Sequence, residues 1–177
     1  NFEVPFGKAR TRREGKDLSI ITYGNTTHFC LAVAEKLADD GYDIEVVDLR
    51  SLIPMDEQAI IDTVSKTNRC LVVHEDKVFG GFGGEIVAFI NENCFEQLDA
   101  PVRRVGSEFT PVGFNRILEK AVLPNADKIE KAIRELSSRG VKLNITAVYT
   151  YEQVEKVFLS LNKNTKSIIS IFAGRMA

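Results

Sequence analysis

Apolar residues along the chain fall into short runs separated by longer amphipathic stretches. Leu18–Thr22 (LSIIT) is such a run, ending at Tyr23-Gly24, and Asn25-Thr26-Thr27 then supply residue types that cap helices. Phe29, Val33 and Leu37 follow at four-residue spacing, which predicts a helix with that stripe inward, closed by Gly41. Residues 44–49 (IEVVDL) predict a second strand. Pro54-Met55-Asp56 then opens a helix with Asp56 as its cap and Ile60, Ile61 and Val64 facing inward. Residues 70–73 predict a third strand. Glycines at 80, 81, 83 and 84 predict a turn, and Ile86, Phe89 and Ile90 mark the inward stripe of a helix beginning at Glu85. A further short strand is predicted over 101–105. Asn125 caps a last helix with Ile129, Ala132, Ile133 and Leu136 at i, i+3, i+4 and i+7.

Strands that are almost continuously apolar, separated by helices, indicate an α/β fold: a small doubly wound, mostly parallel sheet covered on both faces. The pattern changes at residues 137–140 (Ser-Ser-Arg-Gly), which read as a linker after a first domain spanning 1–136. Beyond it, Val141, Leu143 and Ile145 alternate with Lys142, Asn144 and Thr146. Thr150 and Gln153 then form a capping box ahead of a stripe of Val154, Val157, Phe158 and Leu161, and an apolar strand is predicted over 168–172. Residues 141–177 therefore read as one extra βαβ unit, which has too few strands to bury its own faces and must dock on other chain.

Composition narrows the function. With 44% hydrophobic and 27% charged residues, the 177 residues describe a globular chain with a real core. A net charge of −2 argues against nucleic acid or an anionic membrane as the main partner. The sequence contains no apolar run long enough to span a membrane. Cys30, Cys70 and Cys94 lie apart in apolar contexts, which points to buried thiols in a reducing, cytoplasmic compartment. Two histidines and scattered cysteines give no metal constellation. The chain starts at Asn1 without a methionine, so it reads as a fragment or one half of something larger.

Five segments share one resemblance: PFGKARTRREGKDLSIITYG (5–24), VVDLRSLIPMDEQAI (46–60), VVHEDKVFGGFGGEI (72–86), DAPVRRVG (99–106) and LEKAVLPNADKI (118–129). Over residues 5–136 the chain resembles the C-terminal domain of the beta subunit of thiamin-diphosphate-dependent 2-oxo acid dehydrogenases, the domain that also closes transketolases. The resemblance implies a dimer-forming domain of a pyruvate or branched-chain enzyme, inactive alone, with no catalytic or cofactor-binding residue of its own. Thiamin diphosphate is implied in the complete enzyme only, with none in this chain. The implied partners are a second copy or an alpha subunit in a heterotetramer, and a lipoyl acyltransferase core. The segments GVKLNITAVYT (140–150) and SIISIFAGR (167–175) resemble consecutive barrel strands of transaldolase. There Asn144, Thr146 and Ser170 match polar site positions and Arg175 a phosphate-binding arginine, while the strand that would carry the Schiff-base lysine is missing. A split transketolase, a transketolase–transaldolase fusion and a non-catalytic interaction module remain as alternatives.

The glycine turn admits two readings. Its backbone N–H groups could cradle a phosphate at a helix N-terminus. Glu85 is unfavourable beside a pyrophosphate, however, and no Gly-Lys pair follows, so a packing turn at a subunit seam is preferred. The candidate interface residues are His74, Glu75, Gly80, Gly81, Phe82, Gly83, Gly84 and Glu85. Successive residues on a strand end point opposite ways, so His74 and Glu75 need not share a site. His74 is read as a hydrogen-bonded interface residue ahead of a general acid, His28 as a surface residue, and Arg103-Arg104 as contributing a rim salt bridge.

Overall fold

The computed structural model describes residues 3–138, 144–148 and 168–171. The chain divides into two compact units, Asn1–Leu136 and Ser137–Ala177.

In the first unit the predicted strands are β2 (Leu18–Thr22), β3 (Ile44–Asp48), β4 (Cys70–Lys77) and β5 (Arg103–Ser107), all mutually parallel in the order β3-β2-β4-β5. A strand that periodicity did not predict, β1 (Arg10–Arg13), pairs antiparallel with the outer edge of β3. Its sequence, RTRR, lacks any apolar signal, because a strand covered on neither face has nothing to bury. Arginines on β1 and β5 place charge along both sheet edges, which discourages edge-to-edge aggregation.

Side chains of alternating direction send two cores outward from the sheet. On one face Leu18, Ile20, Val46, Leu71 and Val73 pack with α1 (Thr26–Ala38) and with α5 (Ala126–Ser138), which follows the short helix α4 (Arg116–Val122). On the other, Ile21, Leu49 and Val72 pack with α2 (Glu57–Thr67) and α3 (Gly83–Cys94). The α5 stripe of Ile129, Ile133 and Leu136 is buried as predicted, and Asn125 caps it by accepting from Lys128 N at 3.1 Å. In α1 the buried stripe is Cys30, Val33, Ala34 and Leu37, whereas Phe29 is exposed. The 100° step of a helix places positions 30 and 34 nearer the centre of that face than 29. Asn25 makes no side-chain cap. Instead the Thr26 hydroxyl donates to Tyr23 O at 2.8 Å. Burial pushes the Cys30 thiol up to about 12 and raises Cys70 and Cys94 as well, so the three thiols stay protonated and inert.

Asp56 caps α2 as predicted and does more. One carboxylate oxygen accepts from Ala59 N at 3.3 Å, and the other accepts from Ala9 N at 2.9 Å, tying the approach to β1 onto the helix start. Asp56→Ala removes both bonds from a buried position and is expected to cost about 1–3 kcal/mol. Urea unfolding would show this as a lower midpoint at unchanged slope.

In the second unit β6 (Asn144–Val148) and β7 (Ile168–Ile171) pair parallel. The helix predicted between them, and Arg175, lie outside the described residues. Asn144, Thr146 and Ser170 fall on the two strands.

Candidate functional site

From β2 the chain passes through α1 to β3 on one side, then crosses by α2 to β4 on the other. Strand order therefore reverses between β2 and β4. Open α/β sheets bind ligands at such a point, outside the carboxyl ends of the strands. The residue just past β2 is Tyr23, and late in β4 comes His74.

His74 lies at this point. It is fully buried, its ring stacks on Tyr23 with centroids 6.4 Å apart at 13°, and Phe82 meets Tyr23 edge-on at 6.5 Å. Glycines surround the imidazole because nothing larger fits. A Cβ on Gly83 would stand 2.2 Å from His74 Nε2, one on Gly106 2.9 Å from Cε1, and one on Gly81 3.1 Å from Cε1 and 2.2 Å from Lys77 O. The turn then feeds α3 through Gly84 N donating to Gly81 O at 2.9 Å and Glu85 N donating to Phe82 O at 3.0 Å. Gly80 at φ +77° supplies the left-handed residue the turn needs.

The expected hydrogen bond to His74 is not found: both ring nitrogens are buried without a partner among the described residues. Burial holds its pKa below the usual histidine value and Arg104 acts in the same direction, against an opposing pull from Asp76. The imidazole is a neutral packing element. Glu75, its neighbour, is exposed where His74 is buried. Of the other candidates, Gly80 and Glu85 are exposed, Phe82 and Gly84 half-buried, and Gly81 and Gly83 buried. His28 is exposed. On β5, Arg103 forms a rim pair with Glu135 at 3.8 Å, while Arg104 donates to Val78 O at 2.9 Å and braces the turn from below.

What sequence reasoning missed lies beside the turn. Five large apolar side chains are exposed between residues 109 and 118: Phe109, Val112, Phe114, Ile117 and Leu118. Phe79 of the glycine turn is 73% exposed and stacks edge-on against Phe109 with centroids 5.0 Å apart. Lys77 Nζ donates to Thr110 O at 2.5 Å, pinning this segment to the end of β4. The only available signal was the apolar content of 109–118, and without periodicity it could not be assigned to core or surface. Among the described residues no group of three or more His, Cys, Asp or Glu could hold a metal ion. Nor is any described helix long and apolar enough to cross a membrane.

Fold and site together define a doubly wound α/β domain with a buried histidine at the reversal of its strand order and exposed apolar side chains beside it. The chain belongs to the transketolase C-terminal domain family, whose model matches residues 7–129. It is 43% identical over 138 residues to the 2-oxoisovalerate dehydrogenase subunit beta of Bacillus subtilis (strain 168), covering 77% of this chain and 42% of that protein. It is 41% identical over 135 residues to the pyruvate dehydrogenase E1 component subunit beta of Porphyra purpurea, covering 76% of this chain and 41% of that one. The chain thus spans less than half the length of these relatives. Among solved structures, a split gene transketolase described as an inactive beta4 tetramer superposes with a TM-score of 0.68 at 25% identity. That match covers 78% of this chain and 44% of the other. A second family model, transaldolase/fructose-6-phosphate aldolase, matches residues 123–177, a minority of the chain.

Proposed function

We propose that residues 1–136 are the subunit-packing, C-terminal domain of a thiamin-diphosphate-dependent 2-oxo acid dehydrogenase beta subunit of pyruvate or branched-chain type. The observation that carries this reading is the exposed apolar pair of Phe79, on the glycine turn, and Phe109, followed along the chain by exposed Val112, Phe114, Ile117 and Leu118. Exposed apolar side chains of this kind, beside a histidine that is itself buried, fit a contact surface better than a substrate site. Two beta-subunit relatives support the assignment of enzyme. The chemistry of the whole enzyme, decarboxylation of a 2-oxo acid on the thiamin, would be supplied by chain outside residues 1–136. A second copy, an alpha subunit and a lipoyl acyltransferase core are the partners this reading calls for. Three buried free thiols suit a reducing, cytoplasmic compartment.

The test is complementation. The 177-residue chain alone is expected to show no turnover of pyruvate or 2-oxoisovalerate. Activity should appear when a matching amino-terminal half and alpha subunit are added, and should be lost again with Phe79→Asp plus Phe109→Asp. Turnover by the chain alone would overturn the reading.

The match of residues 123–177 to a transaldolase model favours a second reading, a piece of a sugar-phosphate enzyme using Asn144, Thr146, Ser170 and Arg175. That reading requires a Schiff-base lysine. Borohydride trapping with a ketose phosphate is expected to leave the chain's mass unchanged, and a covalent adduct would instead support the sugar reading.

A further inference from the structure

The imidazole of His74 supports the turn that carries part of the contact face. The ring lies between Gly81 and Gly83 of the turn and Gly106 of β5, each so close that an added Cβ would meet it at 3.1 Å or less, so the ring has little room to shift without moving the turn. The turn carries Phe79, which stacks on Phe109, and Phe82, which meets Tyr23. Neither ring nitrogen has an acceptor among the described residues. A neutral imidazole tolerates this at the cost of unmet hydrogen bonds. An imidazolium would bury a charge and two N–H donors with nothing to receive them, a far larger penalty.

We propose that His74 is a proton-operated latch. While neutral it holds the glycine turn closed and the Phe79–Phe109 pair assembled, and on protonation it swings toward water, releasing residues 79–84 and weakening the docking of a second copy of this chain on that face. The docking consequence rests on the contact-surface reading above, whereas the opening of the turn does not.

The groups around the ring set the sign. From the end of β2 comes the Tyr23 phenol, itself raised by burial and by Asp76, so it stays neutral and offers no charge. From β4 comes Asp76, the one carboxylate acting to favour protonation, and from β5 comes Arg104, which opposes it. The turn and the first residues of α3 contribute only glycine and phenylalanine against the ring, and a helix N-terminus disfavours a cation. The closed form therefore holds His74 below its ordinary 6.5. The open form, with the ring in water, titrates near that ordinary value. Closure is fully favoured above about pH 6.5. The opening constant then rises about tenfold for each pH unit below it, until the closed form's own pKa is reached.

The experiment uses the 177-residue chain between pH 8 and pH 5. Only two histidines are present, so the imidazole C–H resonances of His74 and the exposed His28 are readily separated by NMR. Amide hydrogen exchange, corrected for the intrinsic pH dependence, reads the turn directly. The expected result is a midpoint below 6.5 for His74 and loss of protection at the Gly84 and Glu85 amides, which bond back to the turn, over the same range, with β2 amides unchanged. In His74→Leu the turn should show no such pH dependence. Turn protection that persists through the His74 titration, or the same loss in His74→Leu, would overturn the latch. If the leucine variant does not fold, the two wild-type measurements decide alone. Sedimentation supplies the remaining arm. A dimer at pH 8 that dissociates as the turn opens supports the proposal, and one that survives an open turn overturns its docking part. A monomer at pH 8 overturns the docking part, and the exchange data then judge the opening of the turn.

Discussion

Gly15→Ala is expected to destabilise the first unit by about 3 kcal/mol or more, a large fraction of an ordinary domain's stability of about 5–15 kcal/mol. Gly15 lies in the turn between β1 and β2, where the chain passes over the start of β3. A Cβ there would sit 2.3 Å from both Ile44 C and Glu45 N and 2.8 Å from Asp43 O. All three are backbone atoms, so no rotamer change relieves the collision. The same backbone is fixed from other directions. Lys16 N and Asp17 N both donate to Asp43 O, at 3.0 and 2.9 Å, and Gly15 N donates to Glu45 Oε2 at 3.4 Å. Glu45 is buried against α2, accepting from Thr63 Oγ1 at 2.5 Å and from Lys66, so β3 cannot retreat without breaking that network. Gly24→Ala is the contrasting control. Its φ of +65° is unfavourable for alanine, but nothing lies within 4 Å, and a cost of only about 1–2 kcal/mol is expected. Urea denaturation of the two variants side by side would separate backbone collision from backbone strain. Equal losses would refute the account.

The second large effect is at the crevice. Gly83→Ala places a Cβ 2.2 Å from His74 Nε2 and 2.3 Å from Cδ2, and is expected to cost about 2–3 kcal/mol. This collision involves a side chain, so it can be relieved. In the His74→Ala background the added methyl enters space the ring has left. The double variant should then be more stable than the sum of the two single losses by at least about 1 kcal/mol. Additive losses would mean that the glycine is required by the backbone of α3 and not by the ring. Reduced protection in the turn of either single variant would also connect this pair to the latch.

Much of this architecture is legible in particular residues. Asp56 announced the start of α2 by its type and place, because a carboxylate at an N-cap acts within four residues of itself. Ile129, Ile133 and Leu136 announced the inner face of α5 by spacing alone. That His74 and Glu75 need not share a site followed from the pleat of a strand. In each case the cause is local, and the chain carries it along a few consecutive positions.

The contact face was not legible. Phe109, Phe114 and Ile117 are as apolar as the core residues of β2, and their exposure depends on which other chain segments come to cover them. Phe29 illustrates the same limit in miniature. It lies on the edge of a helical stripe, and only the position of the sheet decides that Cys30 goes inward in its place.

The sequence by itself determined the strand–helix alternation, the glycine turn, the family likeness and the absence of a metal-ligand pattern, since all of these are properties of nearby residues. Tertiary structure alone decided that β1 would add antiparallel to β3, that Tyr23 and His74 would meet at the reversal of strand order, and that Gly15 would face the backbone of β3. Those outcomes bring together positions from 28 (Gly15 and Asp43) to 51 (Tyr23 and His74) residues apart. Contacts at such separations are chosen by packing of the whole domain, and no short window of sequence records them.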